Sequence, residues 1–375
     1  MKVLIISDQY LPSTRSGSIL IHDLINELLI RKHKITLITC TQGNNRNKNK
    51  RLDVIRIKTF SYNKKNYLLK GLNQIYLFLQ IILKISFINK DFDKTFIYCP
   101  PLFFGLINFF FKKQKKIINV QDFFPQNAID LGIIKNNILI FILKKIERFI
   151  YNTNDYILVN SNNAKNYLIK RIPSIKKKVL FNYNWTRINR IKGKKYKKNK
   201  IFKFIFGGSI GPAQDLKKVF RAFKNLSKKC ELHIYGEGIL LKKLKKELLT
   251  KNIENIKIFK PVTNSLFAQK LQKYDSALLT LNSKNKTPFI PGKFNFYCSN
   301  KKNVTAIVHK QCDLNHIIKK NNLGFVTSTQ NNKQLTIFLK KIINSKQIDK
   351  MNVNAFKFAR TNLNVKSFVN KLEKI

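Results

Sequence analysis

The sequence predicts an α/β protein built from two doubly wound, Rossmann-like parallel-sheet domains. Short apolar runs rich in Ile, Val and Phe alternate with longer amphipathic stretches, the order of a parallel sheet with crossover helices. The alternation lapses in a lysine-crowded stretch near residues 185–200 and then restarts. The length, 375 residues, exceeds one ordinary domain and suits two. Two such halves joined by a polar linker are expected to face a central cleft at the carboxyl ends of their strands, where open α/β sheets bind ligands.

The first half opens with Lys2–Ser7, an apolar run of the kind buried in a parallel sheet. A loop over 8–18 contains Pro12 and Gly17. Leu20, Leu24, Ile25, Leu28 and Leu29 then recur at helical spacing over 19–31, and a second strand follows at 35–39. Further strands are expected at 54–59, 95–99, 117–120, 156–160 and Val179–Phe181, with helical stretches at 67–89 and 133–151. Apolar content falls over 184–200, where Lys192, Lys194, Lys195, Lys197, Lys198 and Lys200 crowd together. The pattern resumes with strands at 202–206, 231–235, Ile256–Phe259, 276–281, 304–308 and Gly324–Thr327. Helices separate them at 216–226, 240–249, 266–273 and 313–320, and 351–375 is helical. The expected plan is an N-terminal domain over 1–184, a linker over 185–200 and a C-terminal domain over 201–354. A terminal helix over 355–375 packs back on the first domain.

Lys and Arg number 73 against 19 Asp and Glu, a net charge of +54 that attracts polyanions. Lys, Asn and Ile are abundant in every segment, so codon composition accounts for part of the charge. A nucleic-acid-binding protein is the reading that charge alone suggests. No recognition helix, zinc-finger spacing or RNA-binding signature supports it, and the charge is spread along the chain. Cys40, Cys99, Cys230, Cys298 and Cys312 stand singly and the histidines have no metal spacing, so no metal site or disulfide framework is expected. A reducing, cytoplasmic location fits. Lys2–Ser7 follows Met1 directly and reads as a strand, not as a signal peptide.

The longest apolar stretch, 67–89, is interrupted by Lys70, Asn73, Gln74, Gln80 and Lys84, whereas a spanning helix needs about 20 mostly apolar residues. Together with the aromatic and basic run 109–116 and the amphipathic stretch 133–151, it suits the surface of an anionic membrane. The expected location is therefore peripheral, on the inner face of the cell membrane. The competing reading places these apolar faces in the core.

Three glycine turns follow strands: Ser16-Gly17-Ser18, Gly207-Gly208-Ser209-Ile210-Gly211 and Gly236-Glu237-Gly238. Glycine lets a backbone approach a ligand, and free N–H groups at a helix start attract phosphate. None matches GxGxxG, and a glycine after a strand is often a plain turn. Two in one half, both at the carboxyl edge of the sheet, point to a nucleotide site.

The run Asp122-Phe123-Phe124-Pro125-Gln126-Asn127-Ala128-Ile129-Asp130-Leu131-Gly132 resembles the Asp-Leu-Trp-Pro-Glu-Ser…Gly motif of a branch of glycosyltransferase family 4. That branch includes enzymes adding amino-sugars such as N-acetylfucosamine in bacterial surface-polysaccharide assembly. Pro100-Pro101-Leu102-Phe103-Phe104-Gly105 is similar to its Ser-Pro-Pro-Leu-Phe-x-Gly segment, and Asn182-Tyr183-Asn184-Trp185 to its Pro-Asn-Trp hinge. Gly208-Ser209-Ile210-Gly211 resembles its Gly-Asn-x-Gly turn, and Pro291-Gly292-Lys293 its Pro-Ser-Lys. The matches run in order along the chain.

The resemblance implies a GT-B fold and metal-independent, retaining hexosyl transfer from a nucleotide-sugar, a UDP-sugar, with no separate cofactor. The acceptor it implies is lipid-linked or a glycan, in O-antigen-like or capsule-like synthesis. It assigns the donor to Gly17, Gly208, Ser209 and Gly211, to Gly236, Gly238 and Val262, and to Pro291, Gly292 and Lys293. Asp122, Pro125, Gln126 and Asn127 fall on the acceptor side. Asp122 would hold an acceptor hydroxyl or stabilise charge on the donor carbon, and Lys293 would meet the departing diphosphate. The sequence also departs from the pattern. Many members carry two glutamates eight positions apart, the second gripping the ribose, and Pro288 and Phe296 stand there instead. Gln126 replaces a glutamate, and Lys301-Lys302-Asn303 replaces Gly-Lys-Pro. A catalytically impaired subunit that binds a partner enzyme is the alternative Phe296 raises.

Overall fold

The computed structural model describes residues 1–13, 16–40, 43, 49–59, 67–88, 90–186, 188, 196–226, 228–284 and 288–375. Much of the expected linker, including Lys192, Lys194 and Lys195, lies outside the described residues, as does Asn89. The chain divides into two compact units, Met1–Trp185 with Val365–Ile375, and Thr186–Asn364.

The first unit is a seven-stranded sheet of β1 (Lys2–Ser7), β2 (Lys34–Thr39), β3 (Leu52–Arg56), β4 (Lys94–Cys99), β5 (Lys115–Val120), β6 (Tyr156–Val159) and β7 (Val179–Phe181). Their order is β3-β2-β1-β4-β5-β6-β7, and every pair is parallel. Side chains on a strand alternate faces, so a sheet covered on both sides draws near-continuous apolar runs into its strands. In β1, Val3 and Ile5 join Leu24 and Leu28 of helix Ser16–Ile30 on one face. Leu4 and Ile6 join Leu77 and Ile81 of helix Tyr67–Ser86 on the other.

Where the sequence reading runs a single helix over 355–375, the structure has two, Ile348–Asn362 and Val365–Lys374, broken at Leu363-Asn364. Only the second belongs to the first unit. Phe368 on it packs 4.0 Å from the Trp185 ring, whose Nε1 donates to the Leu20 carbonyl. Helix carbonyls at a C-terminus lack partners within the helix and favour cations. Here the buried Lys94 ammonium donates to the Leu372 and Glu373 carbonyls, and Arg31 and His33 hold the Glu373 carboxylate.

Sequence periodicity also misses the 3-10 helix Leu102–Phe110 and the helices Asn162–Arg171 and Asn332–Ile343. The amphipathic helix expected from residue 133 begins at Asn137, where the Asn136 side chain accepts the Leu139 N–H. Gly105, inside the 3-10 helix, lies flush against its neighbours: an added Cβ would sit 2.4 Å from Ile150 Cγ2 and 3.0 Å from Ile118 Cδ1. Gly105→Val is therefore expected to destabilise the first unit by about 1–3 kcal/mol through overpacking. Urea denaturation checks this, and an unshifted midpoint would contradict so close a contact.

The second unit is a six-stranded sheet of β8 (Phe202–Gly207), β9 (Cys230–Tyr235), β10 (Ile256–Phe259), β11 (Ser276–Thr280), β12 (Val304–Ile307) and β13 (Gly324–Thr327). The order is β10-β9-β8-β11-β12-β13, again all parallel. Phe202, Phe204 and Phe206 of β8 pack in one core cluster with Val219, Phe220 and Phe223 of helix Leu216–Lys224. In each sheet the strand order reverses beside the first strand, between β1 and β4 and between β8 and β11. Beyond the carboxyl ends of such a pair, the loops diverge and leave a crevice.

Candidate active site

In the second unit the reversal lies between the glycine turn after β8 and helix Gly292–Ser299, which follows β11. Tyr297 ties that helix to both strands: its hydroxyl accepts the Gly207 N–H and donates to the Leu278 carbonyl. The helix starts at Pro291, which supplies no side-chain cap, so the first-turn N–H groups of Gly292 and Lys293 are left for an outside acceptor.

The Lys293 side chain runs from this turn toward β8. Its ammonium lies 3.8 Å from the centroid of the Phe206 ring. Gly208 has φ +115°, a left-handed backbone suited to glycine, and an added Cβ would meet Lys293 Cε at 2.8 Å and Nζ at 3.2 Å. Among the described residues no ion pair includes Lys293, and burial alone pushes its ammonium down to about 7. The exposed Ser209 follows Gly208 in the chain, and its N–H has no acceptor among the described residues. A cation, an uncapped helix start and a bare loop amide thus converge where an anion would be held by charge and by N–H donors.

The structure brings Gly208, Ser209, Pro291, Gly292 and Lys293 together. Gly211 points elsewhere, its N–H donating to the Gln214 side chain. Gly236 and Gly238 have a packing reason of their own. Their loop lies backbone to backbone on the first glycine turn, and added Cβ atoms would meet the Gly208 oxygen at 2.0 Å and the Ile210 oxygen at 2.3 Å. Ile210 N–H donates to the Glu237 carbonyl and Gly208 N–H to that of Tyr235. Val262 lies on the loop after β10 at the far strand of the sheet. Pro288 is buried, and Phe296 is half-buried beside Phe267, ring centroids 6.0 Å apart. Phe206, which carries the Lys293 ammonium, was not singled out by sequence: a Phe in an apolar strand reads as core.

In the first unit, Asp122 follows β5 close to the reversal between β1 and β4. Burial pushes its carboxyl up to about 6, although the Asn127 side chain and the Phe123 backbone N–H bond to it and oppose the shift. Asn127 therefore positions Asp122. Gln126 instead donates to Asp130, 2.8 Å away, and Pro125 is buried at the start of the short helix Gln126–Asp130. Gln121 binds Asn119 and Asn184, anchoring the segment that leads into Trp185. Gly17 belongs to this unit, where an added Cβ would approach Gln9 Oε1 at 2.8 Å and the Tyr98 hydroxyl at 3.0 Å. Asp8 was also missed by sequence. Burial raises the pKa values of Tyr98 and Cys99 at the end of β4, and the charge of Asp8 adds to both shifts, as that of Asp122 does at Cys99, so a second carboxylate accompanies Asp122 at this edge.

No protein-family model matches the chain. A probable glycosyltransferase of Pseudomonas aeruginosa, WbjE, is 23% identical over 226 residues, 56% of this chain and 55% of that protein. The match thus spans about half the length of this relative. Among solved structures, sucrose-phosphate synthase from Thermosynechococcus elongatus is similar over 100% of this chain and 97% of its own, with a TM-score of 0.76 and 9% identity. HepE from Anabaena, in complex with UDP and glucose, is similar over 100% and 98%, with a TM-score of 0.72 and 13% identity. WaaG, a glycosyltransferase involved in lipopolysaccharide biosynthesis, covers 96% of this chain and 95% of its own, at a TM-score of 0.67 and 12% identity. Two all-parallel α/β units of seven and six strands, with such neighbours along almost the whole chain, establish that this protein has the GT-B fold.

Proposed function

We propose that the chain is a retaining glycosyltransferase that moves a hexosyl group from a UDP-sugar to a lipid-linked or glycan acceptor in surface-polysaccharide synthesis. The observation that carries this reading is the Lys293 ammonium, held over Gly208 by the Phe206 ring at an uncapped helix start. Similarity to a probable glycosyltransferase supports it, as do a neighbour solved with UDP and glucose and one involved in lipopolysaccharide biosynthesis. The motif around Asp122 favours an amino-sugar such as N-acetylfucosamine.

In this mechanism the bond from the anomeric carbon to the diphosphate oxygen breaks, and Lys293 with the Gly292, Lys293 and Ser209 N–H groups takes up the charge left on the diphosphate. The acceptor oxygen bonds to the same face of that carbon, and its proton passes to the departing phosphate oxygen. Asp122 orients the acceptor hydroxyl or stabilises the positive charge that develops on the sugar. No cofactor or metal ion enters, because the cation at the leaving group is Lys293.

The buried Pro288 and the Phe296–Phe267 pair favour a second reading, a catalytically impaired subunit that binds a partner enzyme. Nucleotide release by the purified chain from a panel of UDP- and GDP-sugars, with lipid-extract acceptors, decides between the two. Turnover with a UDP-sugar is expected. Binding of UDP without turnover would favour the impaired subunit, and the absence of both would remove the transferase reading.

A further inference from the structure

Most of the large hydrophobic side chains that the described residues leave exposed fall between Leu72 and Phe149. Helix Tyr67–Ser86 is apolar on both sides. Leu77, Ile81 and Ile85 pack into the first unit, while Leu72, Leu79 and Leu83 form a second stripe facing outward, with more than half of their surface exposed. A second apolar stripe on a helix whose first is already packed is normally covered by protein or lipid. Helix Asn137–Thr153 repeats the arrangement: Leu143 and Ile150 are buried, and Ile138, Phe141, Ile142 and Phe149 are exposed. Both helices pack against the 3-10 helix Leu102–Phe110, whose Phe109 and Phe110 are also exposed. The Phe109 ring lies 5.7 Å from that of Phe149, joining the two elements at the surface.

The exposed charge on these elements has one sign. Lys84, Lys112, Lys113, Lys144, Lys145 and Arg148 are exposed among the apolar groups, and Lys145 Nζ lies 4.7 Å from the centroid of the Phe141 ring. The three helices contain one carboxylate, Glu147, which is buried and paired with Arg171. Among the described residues no helix is long and apolar enough to cross a membrane. Rings and branched chains that enter an acyl boundary, flanked by ammonium groups at headgroup depth, fit a bilayer surface carrying anionic phospholipid.

We propose that this face, formed by helices Tyr67–Ser86, Leu102–Phe110 and Asn137–Thr153, docks the first unit on an anionic membrane surface. The proposal does not depend on the transferase reading, but it would bring a lipid-linked acceptor to the unit that carries Asp122. The test is co-sedimentation of the full chain with vesicles of phosphatidylcholine alone or mixed with phosphatidylglycerol. Binding to the mixed vesicles, weakened by salt, and little binding to the neutral ones is expected.

Ile138→Ser with Phe141→Ser leaves the charge unchanged and should weaken binding about tenfold or more. Lys144→Glu with Lys145→Glu should do the same, by about tenfold or more. The same charge change at the exposed Lys242 and Lys243 of helix Leu241–Thr250, in the second unit, should have far less effect. Three results would overturn the proposal: wild-type protein left in the supernatant, equal losses from the two lysine pairs, or a solution dimer that Ile138→Ser with Phe141→Ser dissociates. The last would make a second copy the occupant. Nucleotide release by the same variants with a detergent-dispersed acceptor separates a failure of this face from a failure of the transferase reading.

Discussion

Replacing Asp122 by Asn is expected to lower turnover by about 10²–10³-fold, the effect of losing one preorganised group that stabilises transition-state charge, while leaving UDP-sugar affinity unchanged. The substitution keeps the shape of the side chain and its contact with Asn127 but removes the charge. A carboxyl raised to about 6 gives this prediction a pH signature. The wild-type rate should fall as pH drops through about 6, because the carboxylate becomes protonated, and that limb should vanish in Asp122→Asn. Stability should move the other way. Since the folded pKa lies above the ordinary aspartate value of 3.8, the ionised group costs stability as pH rises from 3.8 through about 6. Above that range Asp122→Asn should raise the unfolding midpoint. Loss of donor binding in this variant would contradict the assignment of Asp122 to the acceptor side.

Lys293→Ala should act on the donor. Removing a group that meets charge on the leaving group costs about 10²–10³ in turnover where the site excludes water, and ground-state affinity should fall with it. In the protein alone, burial holds the ammonium down to about 7. A bound diphosphate restores the preference for the charged form, so binding takes up a proton above pH 7 and affinity falls as pH rises further. A UDP-sugar suits this measurement, because its diphosphate is esterified at both ends and does not titrate near neutrality. Calorimetry in two buffers of different ionisation enthalpy counts the proton. An unchanged affinity in Lys293→Ala, with no proton uptake in the wild type, would remove Lys293 from the site.

What could be read from the chain follows from how local each signal is. β1 and β8 announce themselves because a strand buried on both faces reads as a near-continuous apolar run. The 3-10 helix Leu102–Phe110 gives no such signal, since its apolar run has no helical period and its place is set by Gly105 closing on Ile150. The break at Leu363-Asn364 was hidden because each helix after residue 347 continues the same amphipathic pattern.

The site divides in the same way. Lys293 stood out only through Pro291 and Gly292 beside it, in a chain crowded with lysines. Its contacts with Phe206 and Gly208 arise from the pairing of β8 with β11 and cannot be read along the chain. Gly236 and Gly238 read as a ligand cradle, yet the backbone of the first glycine turn already occupies the space a side chain would need. Phe296 read as a missing acid, and the structure gives it a partner in Phe267.

Hydrogen exchange of the full chain, followed by peptide mass with and without a UDP-sugar, tests the proposed nucleotide-sugar site of the second unit most directly. Slowed exchange is expected in the peptides spanning 207–211 and 291–296, where the Ser209, Gly292 and Lys293 N–H groups would close on the diphosphate. Protection absent from both segments, with binding found elsewhere or nowhere, would contradict it.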